Sequence, residues 1–122
     1  MRQALHLFIV HADRGAALAA RFGHRWLLPV LTCGERVRAD RHALRWACTH
    51  GIDAVVAGQW LGRVTPEATD WLMVLSTDED CAQAVSALSW MPLDALAPAA
   101  ALLDYQAWAV ARSLERGPLP RV

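Results

Sequence analysis

A chain of 122 residues has room for one domain with one hydrophobic core. Its formal net charge is zero, so no global field draws it to nucleic acid and no acidic tail is present. Hydrophobic residues reach 55%, yet no apolar run is long enough to span a bilayer, and the short run bounded by His6 and His11 reads as neither a signal peptide nor a membrane anchor.

Leu5 to Val10, rich in Leu, Phe, Ile and Val, reads as a first strand. Asp13-Arg14-Gly15 is a turn. Ala16 to Phe22 stays open: alanine favours a helical turn, but the segment is short enough to continue a hairpin. Gly23-His24 breaks the chain, and Trp26 to Thr32 reads as a second strand bent at Pro29, which has no N–H to give a ladder. Cys33-Gly34-Glu35 is a loop. The clearest internal helix runs from Asp40, expected as its N-cap, to Gly51, expected just past its end, with Ala43, Trp46 and Ala47 at helical spacing. Asp53 to Val64 is a long strand pattern in which Gly58 and Gly62 mark a bulge or a tight bend. After the Thr65-Pro66-Glu67 turn, Trp71 to Ser76 is an apolar strand, Thr77 to Asp80 an acidic turn, and Ala87 to Met91 a last short strand ending at Pro92. Pro98 to Arg116 reads as a closing helix, with Gly117-Pro118 as its stop and Leu103, Ala107, Val110 and Leu114 as its inward stripe. The domain is therefore expected over 1–117, with 118–122 a flexible tail or a linker to a further segment.

Several residue types carry potential chemistry. Every basic side chain is arginine, which fits either GC-rich codon usage or bidentate recognition of anions. Cys33, Cys48 and Cys81 form no C-x-x-C pair, so reduced thiols in a cytoplasmic protein are expected rather than a disulfide framework. The five histidines fall at no zinc spacing and read as isolated. Of the six tryptophans, Trp26, Trp46, Trp71 and Trp90 read as core, while Trp60 sits between Gly58 and Gly62, where a ligand or partner can come close.

The order of elements resembles the Nudix family. Trp26-Leu27-Leu28-Pro29, then Gly34-Glu35, the helix from Asp40 and the pair Gly51-Ile52 follow the family's layout, and Trp90-Met91-Pro92-Leu93-Asp94-Ala95-Leu96 is similar to its W-x-x-L-x-x-L segment. The resemblance implies an α/β (α+β) fold, a mixed and partly antiparallel sheet sandwiched between helices. The family's glutamates hold Mg²⁺, which activates water. With Gly51-Ile52 as the closing pair of the family box, its metal-binding glutamates map to Cys48 and Thr49, and its Arg-Glu pair to Leu44 and Arg45. Glu35 alone matches a box carboxylate, and one carboxylate does not hold a hard cation against water.

In place of carboxylates, Arg38, Arg41, His42 and Arg45 recur at spacings of three and four on the face opposite Ala43 and Ala47. That stripe is either a solvated helix face or a site for phosphate or an acidic partner. The reading adopted from the sequence is a non-catalytic Nudix-like binding or interaction domain. Its candidate ligand-binding residues are Arg38, Arg41, His42, Arg45 and Trp60, with no cofactor and no metal. Its partner is a protein, an adjoining domain or a phosphate-bearing small molecule, and neither membrane nor nucleic acid. The alternatives are a divergent Mg²⁺-dependent hydrolase of nucleoside diphosphate derivatives working through Glu35, and a structural or homodimerisation module.

Overall fold

The computed structural model describes residues 2–11, 13, 15–34, 36–64, 66–77, 88–96 and 106. Glu35, the acidic turn at 78–80, Cys81, most of the expected closing helix and the tail lie outside the described residues.

Strand β1 (Arg2–His11) is the hub of the sheet. β6 (Ala68–Thr77) runs parallel along its whole length, from Arg2↔Ala68 to His11↔Thr77. The other edge of β1 is shared by two antiparallel partners. β4 (Val30–Gly34) takes its first half, from Arg2↔Gly34 to His6↔Val30. β2 (Ala16–Phe22) takes its far end, through Val10↔Ala17 and His11↔Ala16. β2 then pairs with β3 (Arg25–Leu27) and β7 (Leu88–Pro92), and β5 (Val55–Val64) closes the other side against β6. Among the described residues these seven strands make one mixed sheet, with helix α1 (Ala39–Thr49) on one face and the short α2 (Leu93–Leu96) on the other.

One open reading is decided and two local expectations change. The alanine-rich segment Ala16–Phe22 is a strand, not a helical turn. Alanine's helical preference is below about 1 kcal/mol per residue, and here it yields to ladders with β1, β3 and β7 that bury Ala17, Leu18 and Ala19 completely. The expected strand over Trp26–Thr32 is two strands, because the chain breaks at Leu28-Pro29; the Pro29 carbonyl accepts the Leu7 N–H at 2.8 Å, and β4 then turns onto β1. Asp40 is not the N-cap of α1. Arg38 holds that position without a side-chain capping bond, and Asp40 lies in the first turn. Its carboxylate accepts the Arg38 guanidinium at 2.8 and 3.2 Å and the Arg41 N–H at 2.8 Å. At the other end, Gly51 (φ 75°) takes the left-handed conformation expected just past the helix, and the Ile52 N–H reaches back to the Ala47 carbonyl at 2.8 Å.

Two apolar layers follow from strand alternation. Leu5, Leu7, Ile9, Leu18, Met73 and Leu75 pack under Ala43 and Ala47 of α1 and the buried Ile52. Phe8, Val10, Ala17, Ala19, Leu28, Leu72 and Val74 face the opposite way, onto Leu96 of α2. One irregularity decides where a tryptophan goes. Val56 pairs with Leu75 and Gly58 with Val74, so Ala57 is an extra residue in β5. Val56 accordingly packs on the α1 side, while Ala57 and Trp60 pack on the other. The Trp60 ring folds over Gly58, where an added Cβ would meet Trp60 Cζ3 at 2.9 Å.

The basic face of helix α1

α1 is set down on the sheet by small side chains. Ala43 and Ala47 are fully buried, so the helix lies close to β1 and turns its long side chains away from the core. Gln3 of β1 fixes the approach to the helix. Its amide nitrogen donates to the Gly34 carbonyl at 2.8 Å and the Val37 carbonyl at 2.9 Å, while its oxygen accepts the Trp71 indole N–H at 3.1 Å. A single half-buried amide thus ties the segment before α1 to β1 and β6. Sequence reasoning passed over Gln3; the signal was a polar residue just ahead of the apolar run of a central strand.

The outer face of α1 carries the expected arginines. Val37, Arg38, Arg41, His42 and Arg45 line a pocket of about 230 Å³. Within it the cations are not equivalent. Arg38 is bound to Asp40, which neutralises much of its charge. Its hydrogen bond to the carboxylate, and then the Arg41 N–H, hold the Asp40 carboxyl below the usual carboxylate range. Arg41 and Arg45, one turn apart, have no acidic partner within 4.0 Å among the described residues. Four of the five candidate ligand residues are therefore together. Trp60 is not with them: the bulge at Ala57 sends it to the opposite face of the sheet.

A second pocket of about 430 Å³ flanks the helix, lined by Leu44, Cys48, Gly51, Ile52, Asp53 and Ala54. The sequence did not single it out, because its lining joins one flank of α1 to the segment after Gly51. Cys48 is exposed and free. Thr49 donates its hydroxyl to the Arg45 carbonyl at 2.9 Å, within its own helix. The positions that the family resemblance assigns to metal-binding glutamates thus offer a thiol and an occupied hydroxyl, beside a guanidinium. These groups do not fit Mg²⁺, which requires oxygen anions. Among the described residues no group of three His, Cys, Asp or Glu side chains is placed to hold a metal ion.

The remaining histidines are scattered. His11 packs edge-on against Trp90, with ring centroids 5.4 Å apart, and His50 stacks on Trp46 at 4.2 Å while bonding the Trp46 carbonyl. His6 belongs to a buried cluster on the face away from α1. Gln106 is 1% exposed and acts there as a backbone mimic: its oxygen accepts the Leu28 N–H at 2.8 Å and its nitrogen donates to the Leu28 carbonyl at 3.2 Å. That pairing fixes the amide's orientation, so its nitrogen donates to His6 Nδ1 at 3.1 Å. Nδ1 is then an acceptor, which places the ring proton on Nε2, 3.7 Å from Asp70 Oδ1. Burial also raises the Cys33 thiol above its ordinary pKa. No helix among the described residues is long and apolar enough to cross a membrane.

The layout is that of a mixed α+β domain with a Nudix-like fold: a sheet of parallel and antiparallel strands carrying helices on both faces. Among solved structures the chain is similar to a mutator MutT protein from Bacillus halodurans, with a TM-score of 0.52 over 93% of this chain and 82% of that one. The two are 11% identical, so the likeness speaks to the fold alone. No family model and no curated protein matches the sequence.

Proposed function

We propose that this chain is a non-catalytic Nudix-like binding domain with a degenerate box, and that α1 holds a phosphate-bearing ligand through Arg41, Arg45 and His42. One observation carries the reading: two guanidiniums one helical turn apart face a common pocket with no acidic partner among the described residues. Guanidinium forks match phosphate oxygens two at a time and keep their charge at any physiological pH. Arg38 serves this arrangement by engaging Asp40, which keeps the nearby carboxylate from competing for Arg41 and Arg45. Arg45 also opposes magnesium, because a cation stands one turn from Cys48 and Thr49, where the family resemblance calls for carboxylates.

Calorimetric titration with inorganic pyrophosphate in a chelator tests this. Binding is expected without any divalent cation, weakening about tenfold in the double variant Arg41→Gln/Arg45→Gln as two charge-assisted contacts are lost. Failure of pyrophosphate to bind would overturn the reading. So would Mg²⁺-dependent hydrolysis of a nucleoside diphosphate derivative that Glu35→Gln abolishes.

A further inference from the structure

The two pockets beside α1 take their lining from neighbouring rows of the same helix. We infer that together they form one bipartite site for an organic phosphate monoester with a flat apolar body, a finer statement that rests on the anion reading above. Residues 41 and 44, and 45 and 48, are three apart, while 41 and 45, and 44 and 48, are four apart, so the four are helical neighbours in one strip along α1. Arg41 and Arg45 line the smaller pocket, and Leu44 and Cys48 the larger. A ligand that reaches across this strip touches cation and hydrocarbon at once.

The sizes and linings divide the work. The pocket of about 430 Å³ falls within the roughly 300–1,000 Å³ usual for small-molecule sites. The arginine pocket, at about 230 Å³, falls below that range and suits a phosphate group alone. Leu44, Ile52 and Ala54 give the larger pocket an apolar lining without a cation. Ile52 is 1% exposed and belongs to the core, so this part of the lining is rigid. Asp53 supplies the one carboxylate of the larger pocket, past the end of α1. Its charge disfavours a phosphate there and directs the anionic end of a ligand toward Arg41 and Arg45. Its backbone carbonyl accepts the Thr77 hydroxyl at 2.7 Å, which ties that segment to β6.

The test compares inorganic phosphate with 1-naphthyl phosphate, using calorimetry on the full chain. Naphthyl phosphate is expected to bind at least about tenfold more tightly, from apolar area removed from water. Leu44→Asn should erase that gain while changing inorganic phosphate affinity by less than roughly twofold, since the two parts of the ligand engage different side chains. Saturating naphthyl phosphate, but not inorganic phosphate, should slow alkylation of Cys48 by iodoacetamide several-fold in the wild-type chain, a readout that does not depend on any variant folding. Equal affinity for the two probes, with dependence on Arg41 and Arg45 retained, would overturn the bipartite site and leave the anion reading standing. A naphthyl gain insensitive to Leu44→Asn, or an unprotected Cys48, would also overturn it. Binding of neither probe would remove both readings.

Discussion

The two faces of the sheet place their polar groups differently. Under α1 the helix rests on two alanines, so its arginines stay in water, facing a pocket, and the polar groups that this face buries, His11 and Thr77, sit at the ends of β1 and β6. On the other face Gln106, His6 and Asp70 are taken inside, and Gln106 is committed to Leu28 and His6. A polar side chain in water costs the fold nothing and remains available to a ligand, whereas a buried one must satisfy its neighbours and is held by them. Histidine and carboxylate side by side therefore read as structure here, and the exposed arginines as function.

The contrast predicts where substitutions hurt. The largest loss is expected from Phe8→Ala, which empties the centre of the layer facing α2: about 3–5 kcal/mol in urea denaturation. Gln106→Leu should follow. It leaves the buried N–H and carbonyl of Leu28 without their partner, at about 1–3 kcal/mol for each stranded group. A neutral result would mean that the cluster is not structural and would break the comparison. Gly58→Ala should cost about 1–3 kcal/mol, because the new methyl meets the Trp60 ring, and tryptophan fluorescence should shift as that ring is displaced. On the α1 side, Arg45→Gln should leave stability within about 0.5 kcal/mol of wild type, whatever it does to pyrophosphate binding.

The smallest effect belongs to Asp40→Asn, and it carries a pH signature. The Arg38 bond holds the folded Asp40 carboxyl below its ordinary range, so the unfolded chain takes up the proton first as pH falls. The stability difference between wild type and variant should be fully present at neutral pH. It should fade on the acid side of about pH 4, as the pH passes through the lowered folded value. A difference that grows on acidification would contradict the Arg38–Asp40 pairing.

The elements that the sequence announced are those whose pattern is local. β1 stood out through its Leu, Phe, Ile and Val content, and α1 through the spacing of Ala43 and Ala47 and the stop at Gly51. β2 was ambiguous because its alanines say little by themselves; the strands that pair with it decide its state. The basic stripe was legible from helical spacing alone, but the pairing of Arg38 with Asp40 was not, since Asp40 was expected to cap the helix. The larger pocket was invisible because it joins α1 to the turn that follows it. Trp60 was placed with the arginines because a strand's facing can be read from sequence only while its alternation is unbroken.

Ala57 makes β5 behave like a text with a reading frame. Counted from Val56, each residue beyond it stands one position later than strict alternation would put it, and the second register shift between Leu61 and Val64 changes the count again. Substituting Ala57 would alter a single side chain. Deleting it would make the ladder regular and leave the pairs from Gly58↔Val74 to Leu61↔Trp71 as they are, with Trp60 still opposite Leu72. For this strand the counted-in residue is the one whose loss the sheet can absorb, and a homologue lacking that position would still present its counterpart of Trp60 to the same face.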